Sequence, residues 1–189
     1  MLAGETEQKV FERARDGDRE AVKQLYDSYS KYVTAVCARF VPDPLELGDV
    51  VQDSFVKIFT SLDRFDYRGE GSLKAWVRQI AVNEALKCLR NNRKLKSVII
   101  KGELPEKEVE EDLDEDARNV PLDALQGMVM DLPDGYRTVF NLYALEDRSH
   151  RDIAKLLGIS ESTSASQLFR ARQILAQKIK EYKEKKRII

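Results

Sequence analysis

Residues 148–175 read RSHRDIAKLLGISESTSASQLFRARQIL, and the architecture turns on this stretch. Ser149 is placed to cap a short helix that buries Ile153, Ala154, Leu156 and Leu157. Ala154 is small where a second helix must cross closely. Gly158, four residues on, can take the left-handed backbone that ends a helix. Ile159 fills the corner, and Ser160 can cap the next helix. There Ser164, Leu168, Ala171 and Leu175 share one face, with Ser164 out of keeping among apolar neighbours. At about 100° per residue the opposite face carries Ser162, Ser166, Phe169, Arg170 and Gln173. Helix, glycine turn and helix make a helix-turn-helix. A face of hydroxyls, amides and an arginine suits entry into the major groove of DNA. The competing reading is an ordinary helical hairpin with a solvated face.

Upstream, Leu122, Leu125, Met128, Val129 and Leu132 form an apolar stripe stopped by Leu132-Pro133-Asp134-Gly135. A further helix is expected from near Tyr136, with Val139, Phe140, Tyr143 and Leu145 as its apolar positions. The N-terminal half shows four more helical periods. The first covers Thr6–Arg15 and ends at Asp16-Gly17-Asp18; the second runs from Asp18 to about Phe40 and is stopped by Pro42 and Pro44. The third carries Leu47, Val50, Val51, Phe55, Ile58, Phe59 and Leu62, with Asp49, Gln52, Asp53 and Lys57 on its polar face. A loop from Phe65 to Gly71 follows, and Ser72 is placed to cap a fourth helix running to about Asn92. No alternation typical of strands occurs. The expected fold is all-α: two small helical domains, 1–96 and 122–189, joined by a flexible acidic linker, 97–121, with the helix-turn-helix in the C-terminal domain.

Along the fourth helix, with Trp76 set at zero, Asn83, Lys87, Arg90 and Lys94 fall within about 40° of it. Cations follow phosphates, and an aromatic ring stacks on unpaired bases, so this stripe reads as a nucleic-acid track. Trp76 reads equally well as core, opposite Val77, Ile80 and Ala81. The loop bearing Gly69 and Gly71 lies beside the track and could enclose an extruded base.

Composition narrows the field. Of 189 residues, 42% are apolar, enough for two cores, and the formal net charge is −1. That balance hides segregation. Lys87, Arg90, Arg93, Lys94, Lys96 and Lys101 occur with no acid between them, and from Glu103 to Asp116 every charged residue but Lys107 is acidic. Separate surfaces for separate partners are implied, with the acidic block expected to weaken DNA binding by the free chain. No apolar run approaches the roughly 20 residues of a membrane span, and the N-terminus has no secretory h-region, so a cytoplasmic location without membrane insertion is expected. Cys37 and Cys88 lack ligand spacing, so neither a zinc site nor any other metal is expected. No nucleophile–base pair and no glycine-rich phosphate loop is present; the reading is of a non-enzyme without cofactors.

Taken together, these residues resemble the extracytoplasmic-function sigma factors of bacterial RNA polymerase. The helix LELGDVVQDSFVKIFTSLDRFD, the segment YRGEGSLKAWVRQIAVNEALKCLRNNRK and the stretch LPDGYRTVFNLYALEDRSHRDIAKLLGISESTSASQLFRAR carry the resemblance. It implies promoter recognition and melting for transcription initiation, with core RNA polymerase and promoter DNA as partners, an anti-sigma factor as a regulator, and a stress or envelope-signal response. It implies that Asp49, Gln52, Asp53, Phe55 and Lys57 dock on the polymerase, Phe55 also reading as core. Arg68, Trp76, Asn83, Lys87, Arg90 and Lys94 would serve the melted −10 element. Thr163, Ser166, Gln167, Arg170 and Arg172 would serve the −35 duplex. The sequence departs from many relatives in lacking a basic residue at Ala165, and often at Gln167, so the −35 sequence stays open. Two rivals stand beside this reading: a repressor or activator whose N-terminal half senses a ligand or dimerises, and an adaptor that does not bind DNA.

Overall fold

Aspartates start the two helices around which the first half is built. In the computed structural model, which describes residues 6–91, 117–118 and 120–187, the chain forms two compact units, 1–92 and 93–189. In the first, α1 spans Glu7–Arg15, α2 Arg19–Ala38, α3 Pro44–Phe59 and α4 Ser72–Asn91, with a 3-10 turn at Leu62–Arg64. Asp18 accepts from the N–H groups of Glu20 and Ala21 at 2.9 and 3.3 Å. It also pairs with Arg13 at 2.6 Å, whose hydrogen bond holds the carboxyl below its usual range. Asp43 caps α3 in the same manner, with Pro44 in the first turn, where its missing N–H costs nothing.

Helix α1 packs on α2, while α2, α3 and α4 pack on one another. Their shared interior contains Leu25, Val33, Val36, Phe40, Ile58, Leu73, Val77, Ala81 and Leu86, all buried. Cys37 lies in this interior as a free thiol, and burial pushes it up to about 11 against the opposing hydrogen bond from Ser54.

The second unit holds α5 (Leu122–Met130), α6 (Asp134–Phe140), α7 (His150–Leu157) and α8 (Glu161–Arg187). Helix α8 packs against α5, α6 and α7. Val120, Met128, Leu132, Ala171, Leu175 and Ile179 form one core cluster. The guanidinium of Arg137, only 3% exposed, donates to the carbonyls of Met130 and Leu132 at 3.0 and 2.8 Å and so closes the C-terminal end of α5.

Four expectations need correction. Ser72 does not cap α4 from outside; it is the helix's first residue, and its hydroxyl donates to Gly69 O at 2.6 Å and accepts from Arg68 N–H at 3.2 Å. The linker was expected to reach 121, but Val120 is buried in the second core with Ala117 against it, because an apolar side chain there extends the stripe of α5 backwards. Leu122, expected within that stripe, is 70% exposed. Tyr143 and Leu145, expected as apolar contacts, are exposed, because α6 runs on as a π turn over Asn141–Leu145. The wider turn advances the register and brings Asn141 and Leu142 inward instead. The segment 97–116 lies outside the described residues, as does Lys94. Among the described residues there is no strand, and no helix is long and apolar enough to cross a membrane.

Candidate nucleic-acid and polymerase interfaces

The helix-turn-helix is built by caps at each end of a tight turn. Ser149 Oγ accepts from the Asp152 N–H at 3.2 Å and donates to its carboxylate at 2.7 Å, which lowers the Asp152 pKa. Gly158 has φ 68° and ψ 37°, a left-handed conformation, and the Ile159 N–H then reaches Ala154 O at 3.1 Å. Ser160 Oγ accepts from the Thr163 N–H at 3.0 Å to begin α8. Ile153 and Ala154 are buried where α7 meets α8. Ser164 is fully buried, and its hydroxyl lies 2.9 Å from His150 Nδ1. The His150 ring stacks on Tyr143 at 4.9 Å, and the Arg172 guanidinium sits 6.0 Å over the Tyr143 ring. The hydroxyl that looks misplaced among apolar neighbours is therefore a polar pin between the two helices.

The outward face of α8 differs from the one expected. Ser162, Arg170 and Arg172 are exposed, and Thr163, Phe169 and Gln173 half-buried; Arg170 Nη1 donates to Gln173 Oε1 at 3.1 Å. Ser166 and Gln167 are buried, at 8% and 5% exposure. Ser166 turns its hydroxyl back onto Ser162 O at 2.7 Å. Gln167 stands three residues after Ser164 and four before Ala171, so it falls on the edge of the buried stripe.

On α4 one line of side chains faces solvent while the opposite side, with Val77, Ala81, Ala85 and Leu89, is buried. Asn83, Lys87 and Arg90 are exposed on that line, and Trp76 is half-buried at its loop end, stacked on Phe65 at 4.8 Å and 27°. One face of the Trp76 ring packs on Phe65, and the residue stays partly accessible. Asn83 accepts from Gln79 Nε2 at 2.9 Å. Lys87 pairs with Glu84 at 2.9 Å, which raises its pKa and keeps it charged. Arg68 projects from the loop, 79% exposed, with Asp66 3.2 Å away.

On α3, Asp49, Gln52, Asp53 and Lys57 are exposed. Phe55 is core at 5% exposure, set between Tyr26 (4.6 Å) and Phe59 (5.7 Å). Apolar side chains that the sequence reading passed over share this surface. Val56 is 56% and Tyr26 45% exposed, and with Gly48, Val51, Gln52 and Phe59 they line an open groove. Leu45 stands 84% exposed at the start of the helix. The spacing 45, 49, 52, 56 places Leu45 and Val56 on the polar face, a signal that was available and not used.

The profile of Sigma-70 region 2 matches residues 25–95, and that of Sigma-70 region 4 matches residues 122–175. The ECF RNA polymerase sigma-E factor of Haemophilus influenzae is 31% identical over 183 residues, covering 92% of this chain and 95% of that protein. The chain belongs to the extracytoplasmic-function sigma factors. The RNA polymerase sigma-H factor of Pseudomonas aeruginosa is 30% identical over 184 residues, 93% of this chain and 94% of that one. Among solved structures, the sigma factor RpoE of Bartonella quintana, in complex with the anti-sigma factor NepR, aligns with 84% of this chain and 96% of its own at 21% identity and a TM-score of 0.48.

As a sigma factor, the chain confers promoter recognition on bacterial RNA polymerase in transcription initiation; its partners are the core enzyme and promoter DNA. The pin in region 4 is expected to make the stability of this sigma factor depend on pH. Burial, then the Arg172 charge, lowers the His150 pKa below 6.5. The unfolded state therefore binds the proton first as pH falls, and the stabilisation present above about 6.5 is lost as pH drops through the folded value. Region 4 is expected to melt at progressively lower temperature below that pH. His150→Gln, which keeps a hydrogen-bonding side chain and cannot titrate, should flatten this part of the profile. An unchanged pH profile in the variant would remove His150 from the account.

Proposed function

We propose a division of labour along the chain, carried by one observation: α4 exposes Asn83, Lys87 and Arg90 in line with Trp76 while burying its other side. Residues 1–96 bind core polymerase and the −10 element, 97–116 tether the two halves, and 117–189 bind the −35 duplex. Asp49, Gln52, Asp53 and Lys57 rim the polymerase dock, with Val56 and Tyr26 as its apolar centre and Phe55 as its floor. Arg68, Trp76 and Asn83 hold unpaired bases of the −10 element; Lys87, Arg90 and Lys94 follow the phosphates. Thr163, Arg170 and Arg172 meet the −35 duplex, while Ser166 and Gln167 shape the helix from within. No covalent step is involved: the chain binds melted bases better than paired ones and so shifts the promoter toward the open state. The protein is a non-enzymatic subunit acting in the cytoplasm, without cofactor or metal. Family membership supports restraint by an anti-sigma factor and a role in a stress or envelope-signal response.

Retention of core polymerase by the tagged chain, followed by run-off transcription from promoters bound by the resulting holoenzyme, tests the reading as a whole. Operator binding without polymerase retention would favour the repressor rival; no DNA contact in any assay would favour the adaptor. Within region 4, Arg170→Ala is expected to weaken binding to a −35 duplex by about 1–3 kcal/mol and to relax selectivity where it reads a base. If Arg170 only grips phosphate, the loss is uniform across sequences and the salt slope falls by about one. Wild-type binding by the variant would exclude both.

A further inference from the structure

The loop 65–71 carries two glycines at positive φ, Gly69 at 105° and Gly71 at 83°, and its residues 68–71 are exposed. Such a segment has little core of its own to hold a shape. It is held from the far end of the sequence. Phe11 of α1, 1% exposed, meets Phe65 edge-on at 5.5 Å and 88° and stacks on Tyr67 at 5.8 Å and 25°. Phe65 passes the contact on to Trp76. The Glu7 carboxylate completes the frame: one oxygen accepts from the Tyr29 hydroxyl of α2 at 2.5 Å, and the other from the Tyr67 hydroxyl at 3.2 Å. The loop is thus tied to α1 by stacked rings, and to α2 through one shared carboxylate.

Resting on the proposed role of this loop in capturing an extruded base, we infer that α1 is the positioning element of the capture site, with Glu7 and Phe11 as positioning residues that fix the loop before DNA arrives. Freezing the loop in advance lowers the ordering cost that base capture would otherwise carry. It also holds the site to one shape, and selectivity for one base requires that.

Glu7→Ala is the cleaner test, since Glu7 is half-buried and at the start of α1; Phe11→Leu, which keeps an apolar side chain, is the second variant. Holoenzyme formed with each is scored for opening of promoters bearing each of the four bases at the captured position. Trp76, the sole tryptophan, reports on the free chain through its emission. Glu7→Ala is expected to bind core polymerase normally, to reduce the ratio of best to worst base by about tenfold, and to shift Trp76 emission to longer wavelength as its stack on Phe65 loosens. An equal drop on all four promoters with a lowered melting temperature would mean a structural role only and overturn the inference. Asn83→Ala separates the two levels. Unchanged selectivity in Glu7→Ala beside a defect in Asn83→Ala would overturn the positioning role and leave the capture reading intact. Normal opening by both would remove the capture reading and the inference with it.

Discussion

Val56→Asp is expected to abolish holoenzyme assembly while leaving the free chain folded. Val56 is 56% exposed in the groove between α2 and α3, so a carboxylate there is hydrated in the free protein and costs no more than about 1 kcal/mol against the C-terminal end of α3. Docking would strip that water away. An uncompensated charge buried in an interface costs about 3–5 kcal/mol, a loss of affinity on the order of a hundredfold or more. Changes at the rim, such as Asp53→Asn, should cost far less and act mainly on the association rate and its salt dependence. A titration of labelled chain with core polymerase, together with a melting curve, measures both quantities. Assembly at wild-type affinity would place the dock elsewhere on the molecule.

Asn83→Ala is expected to leave polymerase binding and thermal stability unchanged and to lower promoter opening by roughly ten- to a hundredfold, the worth of about 1–3 kcal/mol of base-edge hydrogen bonding. Asn83 is exposed, and the structure pairs it with Gln79, a partner that a base can replace. An amide offers a donor and an acceptor, which suits the edge of an unpaired base. Permanganate footprinting on a duplex promoter should show the defect. On a template already mismatched over the melted positions the defect should largely vanish, apart from lost base selectivity. Trp76→Ala should combine an opening defect with a lower melting temperature, because the ring is stacked on Phe65 as well as accessible. Normal opening by a folded Asn83→Ala protein would leave the stripe as a phosphate track.

The helices, their caps and the helix-turn-helix were legible because their causes are local. A carboxylate or hydroxyl before an apolar period, a glycine that can turn left-handed and a repeat near 3.6 act within a few residues of one another. Asp18, Ser149, Gly158 and Ser160 each behave as that local chemistry requires, whereas Ser72 is drawn into the first turn of its helix. The exposed line Asn83–Lys87–Arg90 was legible for the same reason, as the side of a helix opposite its apolar side.

What periodicity could not supply was decided by packing between distant segments. The π turn at Asn141–Leu145 exposes Tyr143, and Tyr143 stacks on His150, which holds Ser164 by its hydroxyl. No local rule predicts a register advance, so Ser164 read as an oddity. Ser166 looked free to reach DNA on a helical wheel, and the family resemblance implied the same of Gln167. One satisfies its hydroxyl on the preceding turn, and the other falls on the edge of the buried stripe. Glu7 and Tyr67 stand 60 residues apart, yet the hydrogen bond between them ties the first helix to the loop beside Trp76. Burial and pairing of this kind are properties of the assembled core, where a polar group must find a partner among whatever the fold brings near.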